Sequence, residues 1–157
     1  MKIKSSQASF ENTKNFKIAI VISRYNDSLG NILLENTVKT LKTHHLAEKN
    51  LQIIQVPGAL EIPFTVKKII EQPAHYDAVI TLGLVIKGDT YHFELVCNES
   101  YRALMDLSLK SSIPIIFGIL TVNSIAQAEE RVLEKKLNKG AEFALSALEM
   151  ITLNKKI

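Results

Sequence analysis

Four short runs of β-branched and aliphatic residues, each followed by a stretch of helical periodicity, constrain this chain most. The runs are residues 18–22 (IAIVI), Leu51–Val56, Ala78–Ile86 and residues 115–120 (IIFGIL). Strands without regular apolar–polar alternation are buried on both faces, as in a parallel sheet covered by helices. Between them, Leu34, Val38 and Leu41 fall at i, i+4 and i+7 of one helix face. Ile62, Val66, Ile69 and Ile70 mark a second helix, with Pro63 tolerable near its start. Phe93, Val96, Cys97, Ser100, Leu104 and Leu107 form the inner stripe of a third. Ser124 with Gln127 makes a capping-box start for a fourth. The triplet Asn138-Lys139-Gly140 reads as a break before a last face of Ala141, Ala144, Leu145 and Leu148. The order is βαβαβαβαα. With right-handed crossovers it predicts a three-layer, flavodoxin-like α/β fold: a four-stranded parallel sheet, order 2-1-3-4, with helices on both faces.

At 157 residues the chain has the size of one domain, here residues 1–157 with a polar arm over residues 1–16. Hydrophobic content of 46% suffices for a real core and excludes a disordered chain. The longest apolar run, Ala78–Ile86, is too short to cross a membrane. The opening residues are polar and lack the apolar stretch of a secretory signal, and a lone Cys97 fits a reducing compartment. A cytoplasmic location is the expectation. The charge of +3 is spread over scattered lysines without interleaved aromatics, so no nucleic-acid partner is expected.

Ligands of open α/β sheets bind beyond the carboxyl ends of the strands. Those ends carry Ser23-Arg24-Tyr25-Asn26-Asp27, Pro57-Gly58-Ala59-Leu60-Glu61, residues 87–92 (KGDTYH) and Thr121-Val122-Asn123-Ser124. The third is the richest. Gly88 permits close backbone approach, Thr90 offers a hydroxyl, and the following helix opens with unpaired N–H groups suited to a phosphate. The same residues also suit an ordinary strand-to-helix turn, and Asp89 would have to point its carboxylate away. No nucleotide-binding glycine motif is present. His92 is placed to shuttle a proton, although a histidine beside an apolar stripe is more often structural. His44 and His45 are adjacent and point to different helix faces, and His75 lies in a loop, so no pair has metal-ligand spacing. No metal is expected from these residues. Tyr25 could stack on a planar ligand or serve as a half-buried core residue. Cys97 reads as packing, and Arg131 and Lys139 as solvated charges.

Taken together, residues 20–27 (IVISRYND), 56–64 (VPGALEIPF), 83–99 (GLVIKGDTYHFELVCNE), 114–121 (PIIFGILT) and 138–142 (NKGAE) resemble the 6,7-dimethyl-8-ribityllumazine synthase family in order and spacing. The resemblance covers nearly the whole chain. It implies the penultimate step of riboflavin biosynthesis: 5-amino-6-(D-ribitylamino)uracil condenses with 3,4-dihydroxy-2-butanone 4-phosphate to 6,7-dimethyl-8-ribityllumazine, phosphate and water. It also implies a reaction without metal or organic cofactor, a homopentamer with sites shared between neighbours, a sixty-subunit icosahedral shell as a larger assembly, and riboflavin synthase as a partner.

By the same resemblance, Tyr25 stacks on the pyrimidine, and Ala59, Leu60 and Glu61 meet the ribityl chain. The backbone of Leu84, Val85 and Ile86 reads the uracil edge. Asp89 and Thr90 form the phosphate loop, with His92 the proton-transfer residue. Phe117 and Arg131 come from the adjacent subunit, Arg131 to the phosphate, and Lys139 lies near the same site, with Glu142 a candidate partner for these cations. Two departures stand out. Lys87 occupies a position where arginine is common, which loses a bidentate fork but keeps the charge. Val132, Leu133 and Leu137 make the segment before Asn138 bulkier than the family's glycine-containing turn. The alternative reading is a non-catalytic flavin- or lumazine-binding shell protein on the same fold. Retention of His92 and Arg131 argues against it.

Overall fold

The computed structural model describes residues 10–72 and 76–157, so His75 and the first nine residues of the polar arm lie outside it. Strands β1 (Ile18–Ser23), β2 (Leu51–Val56), β3 (Ala78–Ile86) and β4 (Ile115–Val122) form one parallel sheet in the order β2-β1-β3-β4. Helices α1 (Asp27–Thr43), α2 (Ile62–Ile70), α3 (His92–Lys110), α4 (Ile125–Val132) and α5 (Lys139–Asn154) cover both faces. This is the three-layer, flavodoxin-like arrangement that the alternation of runs predicts.

Side chains of a strand alternate between faces, and the two cores follow that rule. Ile18, Ile20 and Ile22 of β1 enter the core beneath α1, α4 and α5, while Ala19 and Val21 enter the core beneath α2 and α3. Every residue of β1 is buried, as its unbroken apolar run requires. Strand β2 is an edge, and its Gln52, Ile53 and Gln55 are exposed. Each fully buried Ile or Leu contributes about 1.5–3 kcal/mol. Thr81 is the polar exception within β3: its hydroxyl donates to the Ile116 carbonyl at 2.8 Å, which removes the cost of burying it.

The first helix departs from the expected face. Gly30, Leu33, Asn36, Thr37 and Leu41 are the buried residues of α1, and Leu34 and Val38 flank them, partly buried. Two polar residues reach the interior because each finds a partner. The Asn36 amide donates to the Val132 carbonyl at 2.8 Å, and the Thr37 hydroxyl donates to the Leu33 carbonyl at 2.8 Å. Helix α5 packs so closely here that a Cβ on Gly140 would lie 2.5 Å from the Leu33 carbonyl oxygen. His44 and His45 follow the last residue of α1 rather than sitting on its faces, and His45 has a positive φ of 68°.

Helix starts follow the local chemistry. Ser124 caps α4 by accepting from the Gln127 N–H at 3.2 Å. The Gln127 side chain accepts from Asn123 at 2.8 Å, one residue earlier than in the usual reciprocal box. At the expected break only Asn138 leaves the helical path, at φ 47°, and it caps α5 through Ala141. Lys139 and Gly140 already belong to α5. Strand β4 continues through Thr121 and Val122, two residues beyond the predicted run.

Candidate active site

Strand β3 is longer than β1, and the difference opens a cleft. Pairing between β1 and β3 stops at Ile22 and Leu82, whereas β3 and β4 stay paired to Ile86 and Val122. The chain leaving β1 turns toward β2, where the Arg24 N–H donates to the Val56 carbonyl at 2.8 Å. Residues 83–86 therefore have β4 on one side and no strand on the other. Beside this bare edge lies a cleft of about 460 Å³ at the carboxyl ends of the strands.

Three segments close it. After β1, Asn26 takes a left-handed conformation at φ 59°, which asparagine tolerates better than most residues. Its amide donates across the cleft wall to the Leu84 carbonyl at 2.8 Å, tying the β1 loop to the β3 tail. Tyr25, beside it, is 73% exposed at the rim. After β2, Ala59, Leu60 and Glu61 form a single 3₁₀ turn along the second wall. After β3, Gly88, Thr90, His92, Phe93 and Val96 supply the remaining side. The His92 N–H points to the Thr90 hydroxyl at 3.4 Å, and a Cβ at Gly88 would meet nothing within 4 Å.

The electrostatics of this end centre on one pair. The Lys87 ammonium lies 2.9 Å from Glu94 Oε1 and 5.8 Å from the centre of the Phe93 ring. The hydrogen bond from Lys87 holds the Glu94 carboxyl below the usual carboxylate range. Burial, and then the Glu94 charge, push the Cys97 thiol up. Burial also raises the Tyr101 phenol, whose hydroxyl donates to the Ile119 carbonyl at 2.6 Å.

Most of the sequence-predicted residues meet here. Tyr25, Ala59, Leu60 and Glu61 line the cleft, as do Leu84, Val85, Ile86, Thr90 and His92. Four others do not. Asp89 is exposed on the loop between two lining residues. Phe117, on β4, meets Tyr101 edge-on at 5.8 Å. Arg131 is exposed on α4 and donates to the Gln127 carbonyl at 3.0 Å. Lys139 is held by Glu142, 2.9 and 2.8 Å from its two oxygens. Ser23, Asn26, Gly58, Phe93 and Val96 line the cleft without having been singled out for it. Of these, Asn26 had a signal: an asparagine in the short turn after a buried strand is a common left-handed residue.

Among the described residues no group of three His, Cys, Asp or Glu side chains comes together as a metal site, and no helix is long and apolar enough to cross a membrane. What the cleft offers is peptide groups along a strand edge, a hydroxyl, an imidazole and an aromatic rim. That set suits a planar polar ring and a small anionic group. The family model for 6,7-dimethyl-8-ribityllumazine synthase, whose members are transferase-type enzymes of riboflavin synthesis acting on small molecules, matches residues 15–155. With a match over nearly the whole chain, from just before β1 to the residue after α5, this protein belongs to the 6,7-dimethyl-8-ribityllumazine synthase family.

Proposed function

We propose that this chain condenses 5-amino-6-(D-ribitylamino)uracil with 3,4-dihydroxy-2-butanone 4-phosphate, as one catalytic domain over residues 1–157 acting in the cytoplasm. The observation that carries the proposal is the bare edge of residues 83–86, facing a cleft that has Thr90 and His92 at one end. A uracil ring presents alternating donors and acceptors along one side, which peptide groups of a strand can match. Tyr25 covers the ring face, and Ala59, Leu60 and Glu61 follow the ribityl chain. The loop of Asp89 and Thr90 takes the phosphate through the Thr90 hydroxyl and the first N–H groups of α3, with the Asp89 carboxylate turned outward.

The 5-amino group attacks the ketone and water leaves, forming an imine. Phosphate is then eliminated, the resulting enol becomes a ketone, and the ribityl-bearing nitrogen closes the ring with loss of a second water. His92 moves the protons that these steps require. Such help is worth roughly 10²–10⁴-fold, and holding the two substrates together supplies much of the rest. No metal or organic cofactor enters the scheme.

One chain holds only part of this machinery, because Phe117, Arg131 and Lys139 lie off its own cleft. We place Phe117 and Arg131 at the cleft of a neighbouring subunit in a homopentamer, with Arg131 on the phosphate and Lys139 nearby. Light scattering distinguishes that pentamer from a sixty-subunit shell. The test of the shared site is subunit mixing. An inactive His92→Ala chain and an inactive Arg131→Ala chain are dissociated together and reassembled. Activity returns where an intact His92 faces an intact Arg131. If verified reassembly restores nothing, the shared site is wrong. If the wild-type chain binds the lumazine but releases no phosphate from the two substrates, the non-catalytic alternative replaces this reading.

A further inference from the structure

We infer that the Lys87–Glu94 ion pair is a clip that holds the phosphate loop in shape, making both residues positioning residues for Thr90 and His92. The inference rests on the function proposed above. Lys87 directly follows the last residue of β3, and its N–H is fixed to the Val122 carbonyl at 2.9 Å. Glu94 stands in the first turn of α3, two residues after His92. Their 2.9 Å contact therefore closes the chain around residues 88–93. Little else does. Among the described residues, the backbone of residues 88–90 is hydrogen-bonded to no other element. The same ammonium sits over the ring of Phe93, which lines the cleft, so one side chain restrains two consecutive residues of α3.

The pair is lopsided. Glu94 Oε2 is buried and has no hydrogen-bond partner among the described residues, so the carboxylate depends on Lys87. The Lys87 side chain is 47% exposed and can turn to water instead. Removing the lysine strands a partly buried carboxylate, whereas removing the glutamate strands nothing. Loss of Lys87 therefore costs more.

A competing role for Lys87 is direct contact with the phosphate, and Glu94→Ala separates the two by sign. Freed from its counter-charge, a lysine that touches phosphate binds it more tightly. A lysine that acts through the clip lets the loop go, and phosphate binds more weakly. The probes are inorganic phosphate, read by thermal shift and by competitive inhibition on the assembled enzyme, and the separate KM values of the two substrates. Glu94→Ala should weaken phosphate about twofold and Lys87→Met about fivefold, the range of partly exposed ion pairs. The KM of the pyrimidine stays within about twofold in both, and Lys87→Arg restores wild-type phosphate binding. Glu94→Ala binding phosphate as well as or better than wild type overturns the clip. So does a parallel rise of both KM values, or a silent Lys87→Met. Should Lys87→Met fail to fold, Glu94→Ala decides the sign alone. A wild-type chain that turns over neither substrate defeats the proposed function, while the phosphate thermal shift still reads the clip.

Discussion

The two faces of the sheet are finished to different degrees. On one, α1, α4 and α5 lock onto the strands and onto each other: Leu33, Leu41, Leu148 and Ile151 are sealed, and Gly140 lets two helix backbones nearly touch. Its exposed apolar residues, Ile125, Leu137, Met150 and Leu153, are divided between α4, the connection that follows it and α5. On the other, α2 and α3 cover the sheet with one side and carry Phe64, Leu95, Met105 and Leu109 on the outside. Leu109 is 80% exposed. Leu95, Met105 and Leu109 share α3, and exposed apolar patches are in general candidates for interaction surfaces. The first face holds the chain together, and the second offers its outer apolar line to the proposed neighbour, which in turn would bring Arg131 from its α4 side.

The sharpest way to break that division is a pair of substitutions. Leu148→Ala empties a fully buried site and should cost about 2–5 kcal/mol. Urea unfolding at fixed protein concentration checks this, with the midpoint falling and the slope unchanged. Leu109→Asp should leave the chain's own stability within about 0.5 kcal/mol and instead lower the assembled mass in light scattering. If Leu109→Asp unfolds the chain as Leu148→Ala does, the two faces do not divide the labour as described.

The smallest effect lies at the rim, where neither face dominates. The folded pKa of Glu94 is lowered, so the ion pair contributes above the unfolded carboxylate range and is lost as pH falls through the lowered folded value. The stability gap between wild type and Glu94→Gln should be flat at neutral pH and shrink only in acid. A gap that instead widens on acidification would reverse the sign of the coupling.

The strands, their order and the edge that bears the cleft were legible because unbroken apolar runs have few alternatives inside a domain of this size. The face of α1 was not. Asn36 and Thr37 look like surface residues until Val132, nearly a hundred positions away, supplies a partner for the asparagine, and Leu33 one for the threonine. Asn26 carried a turn signal, but its partner was hidden in the same way, since Leu84 belongs to another strand. Tyr25, Thr90 and His92 were found because they lie in the short segments that follow strand ends. Phe117, Arg131 and Lys139 entered only through resemblance, and a single chain keeps them away from its cleft.

The end of β3, paired with a strand on one side only, has a consequence for how this protein tolerates change. A surface made of peptide groups is written in the path of the backbone, and every amino acid except proline carries the same N–H and C=O. Leu84, Val85 and Ile86 are thus free to drift among aliphatic residues as packing demands, with the pattern of donors and acceptors beside the cleft untouched. Proline at 86 would delete an N–H on the open side of β3, since Val79 and Lys87 bond the β4 side and the alternate residues face away from it, and would bar the residue before it from most other conformations. Selectivity stored this way is insulated from most point mutations and exposed to very few.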